Sequence, residues 1–598
     1  MPSAKQIWTT VFPLAAGLGL AGLVLLLAAS AAAAPLNAAV IRYVSPGGSD
    51  AANDCTAKAS PCQTVQHGLD AAQLGDEIWV AAGVYTGAAG TVANLTQTVT
   101  LQGGWNAAFT QNNPASQVTT LDGQGLQPVV VISPTALSVS GQLSPTIEGF
   151  VLTHGQGSNA YCGVPLLSPG DNACGGGLAS LDADPLIVNN VISDNAGASF
   201  AGGYGMGGGL YIYKAGASAL ISGNLIISNV ANISGAGLGG LGGGIFERAG
   251  LAAIQGNEIR QNVDSLAGTG QGAGIKLLYS HASILNNLIR DNRSINRGGG
   301  IHVQGDSGTV LISGNNILSN TAAVAAGGIQ VTSDAVGALI VSNTVAYNRA
   351  LSPTSGRGGG IRVSAGSLVV TISHNDLYAN VAAWGGGSAI DLAAPGVVDG
   401  NYLHQNQNGQ WGAALVLTGT ALPMTATNNV FADNLGGGIE AGNFGASAWV
   451  VNNTLVGSRA APGGAPGSGL LVSFDPPAGT AVTATLVNNL VIGGAACGLD
   501  LHNPPAVVNH HNDVFGNATN FCGGSSGAAD VSFDPLFVSA AAGNYHLAWG
   551  SPAIDAGSNA EAPAADRDGV SRPQGRFVDI GAYEAIIRGL LFVPLVRR

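Results

Sequence analysis

Two stretches decide the fold: Gly298-Gly299-Gly300-Ile301-His302-Val303, and Val310-Leu311-Ile312 leading into Asn315-Asn316-Ile317-Leu318-Ser319-Asn320. Each recurs along the chain. Asn, four residues, Asn appears at Asn190/Asn195, Asn224/Asn229, Asn257/Asn262, Asn287/Asn292, Asn315/Asn320, Asn343/Asn348, Asn375/Asn380, Asn401/Asn406 and Asn429/Asn434, or about one copy per 30 residues. Degenerate copies start at Asn453, Asn489 and Asn512. Two residues after the first Asn the side chain is always apolar, from Ile192 to Phe431, while its neighbours vary. That is the period of a strand with one buried face.

The glycine runs end on Leu178, Leu210, Ile245, Ile275, Ile301, Ile329, Ile361, Ile390, Leu415, Ile439, Leu470 and Leu499. In nine of these twelve copies the residue two further on is Ile, Leu or Val, so this is a second strand. The apolar stretch before each Asn, such as Leu339-Ile340-Val341, is a third. Three short strands per repeat, with Gly and Asn at corners that tolerate φ > 0, predict an all-β, single-stranded right-handed parallel β-helix. Equivalent Asn residues then lie ~4.8 Å apart on successive coils and are expected to hydrogen-bond into a ladder. Counting from Ile78 to Asn517 gives roughly 15 coils, a rod about 70 Å long.

Composition excludes other classes. Of 598 residues 92 are Gly and only 9% are charged, while 46% are hydrophobic. This is too apolar for a charge-rich disordered chain and lacks the heptads of a coiled coil. The net charge of −13 disfavours nucleic acid as a partner. Residues 1–34 read as a signal peptide: Lys5, an apolar run from Leu14 to Ala29, then small residues. Ala15 to Ala34 also approaches membrane-spanning length. No later segment is long and apolar enough to span a bilayer, and the protein is expected to be a monomer, secreted or at the cell surface. Six cysteines in sequence-local pairs predict disulfides Cys55–Cys62, Cys162–Cys174 and Cys497–Cys522, since short loops close at least entropic cost.

The expected organisation is an N-terminal cap at 41–77, the helical stack at 78–525, a closing segment at 526–585 and a tail at 586–598. Within the cap, Thr64 to Leu74 reads as a short amphipathic helix with Val65, Leu69, Ala72 and Leu74 apolar. The closing segment carries Asp566 and Asp568, the one Ca²⁺ candidate in a chain otherwise expected to need no cofactor.

The glycine and asparagine repeats resemble the right-handed β-helix superfamily that includes pectate lyases, and the GGAI and FxxN repeats of polymorphic outer-membrane proteins. Tyr43-Val44-Ser45-Pro46-Gly47-Gly48-Ser49-Asp50 with Gly75-Asp76-Glu77-Ile78-Trp79-Val80 looks like the opening of secreted bacterial β-helix proteins. Ser551-Pro552-Ala553-Ile554-Asp555-Ala556-Gly557 with Asp579-Ile580-Gly581-Ala582-Tyr583-Glu584 resembles the end of choice-of-anchor Q surface proteins. The resemblance implies fold and surface export. The enzyme motifs of the superfamily do not accompany it: there is no Asp-Asp pair and no Arg-Ile-Lys, and His154-Gly155 follows Thr153 where those enzymes carry Gly.

Strand alternation places one residue outward after each glycine-run anchor: Tyr211, Phe246, Lys276, His302, Gln330, Arg362 and Asp391, followed by Val416 and Glu440. Nine of the 20 basic residues lie between Arg248 and Arg362. This column is the candidate contact surface, flanked by a second one of Arg260, Arg290, Tyr378 and His404. The expected function is binding of an extracellular polysaccharide or action as an adhesin or structural rod, with an extracellular polysaccharide or a cell-surface molecule as partner. The alternative is a polysaccharide lyase or glycoside hydrolase using Lys276, His302 or Arg362. The long segments Gly155 to Ala173, Ala196 to Met206, Val230 to Leu241 and Val263 to Gln271 read as variable loops on one edge.

Overall fold

Three parallel sheets run the length of the molecule in a computed structural model, and each repeat gives one strand to each sheet. The structure describes residues 39–134, 143–162, 172–199, 203–234, 238–305, 308–332, 337–418, 424–441, 447–462, 467–473, 483–502 and 507–586. The signal-peptide reading of 1–34 and nearly all of the tail lie outside them. From Val40 onward the chain forms one compact unit.

The first sheet has 16 strands, from Ile41–Val44 to Val507–His510; the second has 15, from Gly83–Thr86 to Asp513–Phe515; the third has 15, from Ala93–Leu95 to Thr519–Cys522. Every pairing within them is parallel, and register is kept, as in Ile275↔Ile301↔Ile329, apart from a bulge between Trp79 and Ala81 near the start of the first sheet. This is the coiled stack of about 15 turns that the repeat count implies. Inward side chains of all three sheets form one continuous core that includes Ile254, Ile289, Ile301, Ile312 and Val345. Each coil is too small to bury its own apolar face, so stacking supplies the burial.

The asparagine ladders are present. Asn343 Oδ1 accepts the main-chain and side-chain N–H of Asn315 at 2.9 Å each, while Asn343 Nδ2 donates to Ile312 O at 2.9 Å and Asn375 Oδ1 at 3.0 Å. The same pattern links Asn190 to Asn512 without a break and ends where Asp530 Oδ1 accepts from Asn512 N. A second ladder joins Asn195 to Asn434. The two sequence signatures depend on each other. A Cβ on Gly300 would sit 3.1 Å from Asn320 Nδ2 and 2.8 Å from Gly328 O, so the ladder needs glycine beside it. Gly298, at φ 67°, makes the left-handed corner.

All three disulfides form as paired in sequence. The helix spans Val65–Ala71 with Thr64 as its N-cap, and buries Val65 and Leu69; Leu74 lies beyond it and is exposed. The cap region also supplies Ile41–Val44, which pairs with Glu77–Ala81 as the first strand of the stack.

Two further features depart from the sequence reading. The segments read as loops contain extra strands. An eight-stranded ladder runs from Ala196–Ala198 to Gln407–Asn408, and a four-stranded one from Asn172–Cys174 to Thr269–Gln271. These arms fold over the outer face of the third sheet. The chain beyond 533 then docks sideways: Asn428 Nδ2 donates to Ala565 O, Asn452 Nδ2 to Asp579 O and Asn488 Nδ2 to Ser558 O. It lies along the flank of the last coils, on Val430, Leu490 and their neighbours.

Candidate functional site

The predicted column is in register, Tyr211↔Phe246↔Lys276↔His302↔Gln330↔Arg362↔Asp391, and points away from the main core. It is not an open surface. Tyr211, Phe246 and Gln330 are 0% exposed, Lys276 and His302 1%, and Asp391 2%; only Arg362 is half-buried. The arms cover it. Strand alternation shows which way a side chain leaves the sheet, but not what lies above it.

At the N-terminal end the cover is apolar. Tyr211 and Phe246 stack with centroids 5.6 Å apart and pack with Cys162, Cys174, Met206, Tyr213 and Leu278 in a separate cluster. Tyr211 Oη donates to Cys162 O at 2.7 Å, so the Cys162–Cys174 bridge pins the covering arm onto the ring. These two aromatics are core residues of the arm and not a stacking platform for a ligand.

Further along, the floor becomes polar. Lys276 Nζ donates to Gln271 Oε1 of the arm and to Gln304 Oε1 of its own sheet, both at 2.8 Å, and so ties the arm to the sheet. On the next four rungs His302 Nδ1, Gln330 Oε1, Arg362 Nε and Asp391 Oδ1 are buried and make no hydrogen bond. A buried polar atom without a partner costs ~1–3 kcal/mol, and three such atoms, on His302, Gln330 and Asp391, are a costly run in so regular a fold. Arg362 Nε faces Asp391 Oδ2 at 3.3 Å. Burial raises the Asp391 carboxyl above its usual range, against the pull of Arg362 and Arg357. Burial also holds His302 neutral well below the usual histidine range, helped by Lys276 and Arg297.

Beside this column lie residues that the sequence reading missed. Arg297, Ala325 and Arg357 form a parallel column with Gln271, one residue before each glycine run. That position, followed rung by rung, was the available signal. The Arg357 guanidinium lies 4.8 Å from the Trp384 ring and 4.9 Å from the Trp411 ring, which meet edge to face at 5.1 Å. Burial, together with the charge of Arg362, lowers the proton affinity of both Arg297 and Arg357. This side therefore concentrates positive charge in a chain of net charge −13. Past Asp391 the floor continues through Glu440, beside a cavity of about 140 Å³ lined by Trp411, Ser468 and Leu471.

The flanking column is held by its own contacts. Arg260 and Arg290 share Glu258 at 2.9 and 2.8 Å, Tyr378 stacks on His404 at 5.0 Å, and His404 Nε2 meets Asp376 Oδ1 at 3.1 Å. The Ca²⁺ candidate is a hydrogen-bonded turn: Asp566 Oδ1 accepts from Asp568 N and Val570 N, and Oδ2 from Glu584 N. Among the described residues one group of three has metal-ligand geometry, Cys55, Cys62 and His67, but both sulfurs are spent in the disulfide.

The family described as right handed beta helix region matches residues 242–394, the part of the chain that builds most of this column. The fold is a right-handed parallel β-helix. No curated protein matches it. Among solved structures, this right-handed β-helix chain is similar to the A-module of the mannuronan C-5 epimerase AlgE6 of Azotobacter vinelandii, with 15% identity, a TM-score of 0.30, and 79% of this chain and 94% of that one covered. It is similar to pectate lyase Pel9A at 12% identity and TM-score 0.21, covering 91% and 96%. A DFA-IIIase of Arthrobacter chlorophenolicus A6 matches at 12% and 0.27, covering 69% and 83%.

Among the described residues no helix is long and apolar enough to cross a membrane.

Proposed function

We propose that this protein is exported and binds an extracellular acidic polysaccharide in the groove over Lys276 to Asp391, as an adhesin or structural component of the cell surface. The observation that carries this reading is Arg357 against Trp384 and Trp411, with Arg362 within electrostatic reach of both Arg357 and Arg297, beside buried polar atoms of His302, Gln330 and Asp391 that make no hydrogen bond. Guanidinium groups bind carboxylate or sulfate in a fork, and indole rings take sugar faces. Successive rungs lie ~4.8 Å apart, close to one sugar residue, so a chain can run along the groove. Three disulfides fit an oxidising compartment.

The test is titration with polygalacturonate and alginate against a neutral dextran. Arg357→Ala with Arg362→Ala should weaken polyuronate binding at least tenfold and flatten its salt dependence. Unchanged affinity in that double variant places the site elsewhere. The second reading, a polysaccharide lyase, is favoured by one observation: His302 stays neutral among cations, as a base acting beside a substrate carboxylate must. Ultraviolet-absorbing unsaturated product, lost in His302→Gln, would replace binding with catalysis.

A further inference from the structure

The flank of the last coils carries a column of left-handed turn residues, Asn428, Asn452, Asn488 and then His511, with φ of 55°, 55°, 58° and 55°. Strand register puts them on successive rungs: Thr427↔Val451↔Val487↔His510, each preceding its turn residue. The three asparagines hold the C-terminal segment through its backbone. His511 cannot repeat that contact, because its imidazole has a different reach and chemistry. Instead its Nδ1 faces His510 Nδ1 at 2.9 Å. On the other side of His510, Nε2 lies 3.8 Å from Glu561 Oε1. Glu561 is itself held by Ser558 Oγ at 2.7 Å, and Ser558 N donates to Asn488 Oδ1 at 2.7 Å. The pair therefore sits where the docking seam ends.

We propose that His510 and His511 chelate a divalent late first-row metal ion through their two Nδ1 atoms, with Cu²⁺ preferred over Zn²⁺ and Glu561 orienting His510 from its Nε2 side. Imidazole nitrogens bind such ions at ~2.0–2.1 Å, so two of them 2.9 Å apart subtend about 90° at the metal. That is the cis angle of a tetragonal Cu²⁺ or Ni²⁺ site, whereas a tetrahedral ion needs the nitrogens farther apart. A carboxylate on the far nitrogen of a ligating histidine fixes its ring and tautomer. The other charged group facing the pair, Asp530, is committed: Oδ1 accepts from Asn512 and Oδ2 from Gly527 N. All three side chains are half-buried, so the pair is not sealed within the core. The bound ion would tighten the turn on which the C-terminal segment ends its docking.

The test uses the full chain titrated with CuCl₂, NiCl₂ and ZnCl₂, read by calorimetry, electron paramagnetic resonance and thermal melting. One Cu²⁺ per chain with two coordinated ring nitrogens and a raised Tm is expected, with Zn²⁺ weaker. His511→Asn keeps the turn type of Asn488 and so folds, yet should lose both the two-nitrogen spectrum and the Tm rise. His510→Gln should do the same, and Glu561→Gln should weaken binding roughly tenfold. Absence of a stoichiometric two-nitrogen Cu²⁺ site, Zn²⁺ binding tighter than Cu²⁺, or an unchanged Tm rise in His511→Asn overturns the proposal.

Discussion

Two columns of side chains run the length of the same stack and differ in every respect. The first-Asn ladder repeats one residue on twelve rungs from Asn190 to Asn512, and every link makes the same hydrogen bonds. The outward column of the third sheet changes residue at every rung and leaves polar atoms unpartnered from His302 to Asp391. Repetition marks where each coil solves the same packing problem. Departure from it marks where something other than coil stacking set the residue. The groove reading follows from that contrast, because unpartnered groups cost stability that a purely structural column had no reason to give up.

The contrast breaks most readily at the ladder. Asn343→Ala removes the acceptor of two Asn315 donors and the amide that donates to Ile312 O and Asn375 Oδ1, leaving Asn375 Oδ1 only the residue 343 main-chain N–H, so it should cost about 3 kcal/mol in denaturant unfolding. A cost near zero would mean the ladder is decoration. Next comes the arm that hides the aromatic end. Replacing Cys162 and Cys174 together by serine should cost about 2–3 kcal/mol, because the closed loop is short, and should expose Tyr211 and Phe246 to a hydrophobic dye. Retained melting temperature and no dye binding would show that the arm holds without its bridge.

A break inside the core sharpens the comparison by pH. Glu247 stands in the inward column between Ile212 and Leu277; its Oε1 accepts from Ala252 N, and burial raises its pKa to about 7 against that bond and the nearby Ser280 hydroxyl. A carboxyl whose folded pKa lies above its unfolded value stabilises the fold fully below the unfolded value. That contribution is lost as pH rises through the folded one. Glu247→Gln should therefore flatten the fall in stability between about pH 4.5 and 7. An unaltered pH profile would assign that fall to other buried acids such as Asp264 and Asp513, also raised to about 7.

The smallest effect belongs to the groove. Gln330→Leu loses hydrogen bonds to Val331 O and Ser364 Oγ but also removes an unpartnered Oε1, so stability should stay within about 1 kcal/mol of the parent. Polyuronate affinity should drop in the same variant. A stability loss as large as that of Asn343→Ala would make the groove floor structural after all.

Sequence alone determined the coils. Period-two alternation fixed which face of each strand is buried; the ladder asparagines follow from the need to pair inward polar groups coil to coil, and Gly300 from the lack of room beside the ladder, whereas the left-handed corners take many residue types, such as Gly298, Ser319 and Ala326. The disulfides were legible because short loops close locally. Local pattern could not show what covers an outward face. Burial of His302 and Gln330, and the meeting of Arg357 with Trp384, Trp411 and Arg362, come from arms whose sequences are irregular and whose partners lie one coil away. The same holds at the other end, where Asn428, Asn452 and Asn488 receive a segment some 70 to 137 residues downstream. Contacts between neighbouring residues are fixed by the chain's own geometry. Contacts between distant segments depend on which surfaces the folded coils leave open, and that exists only once the stack has formed.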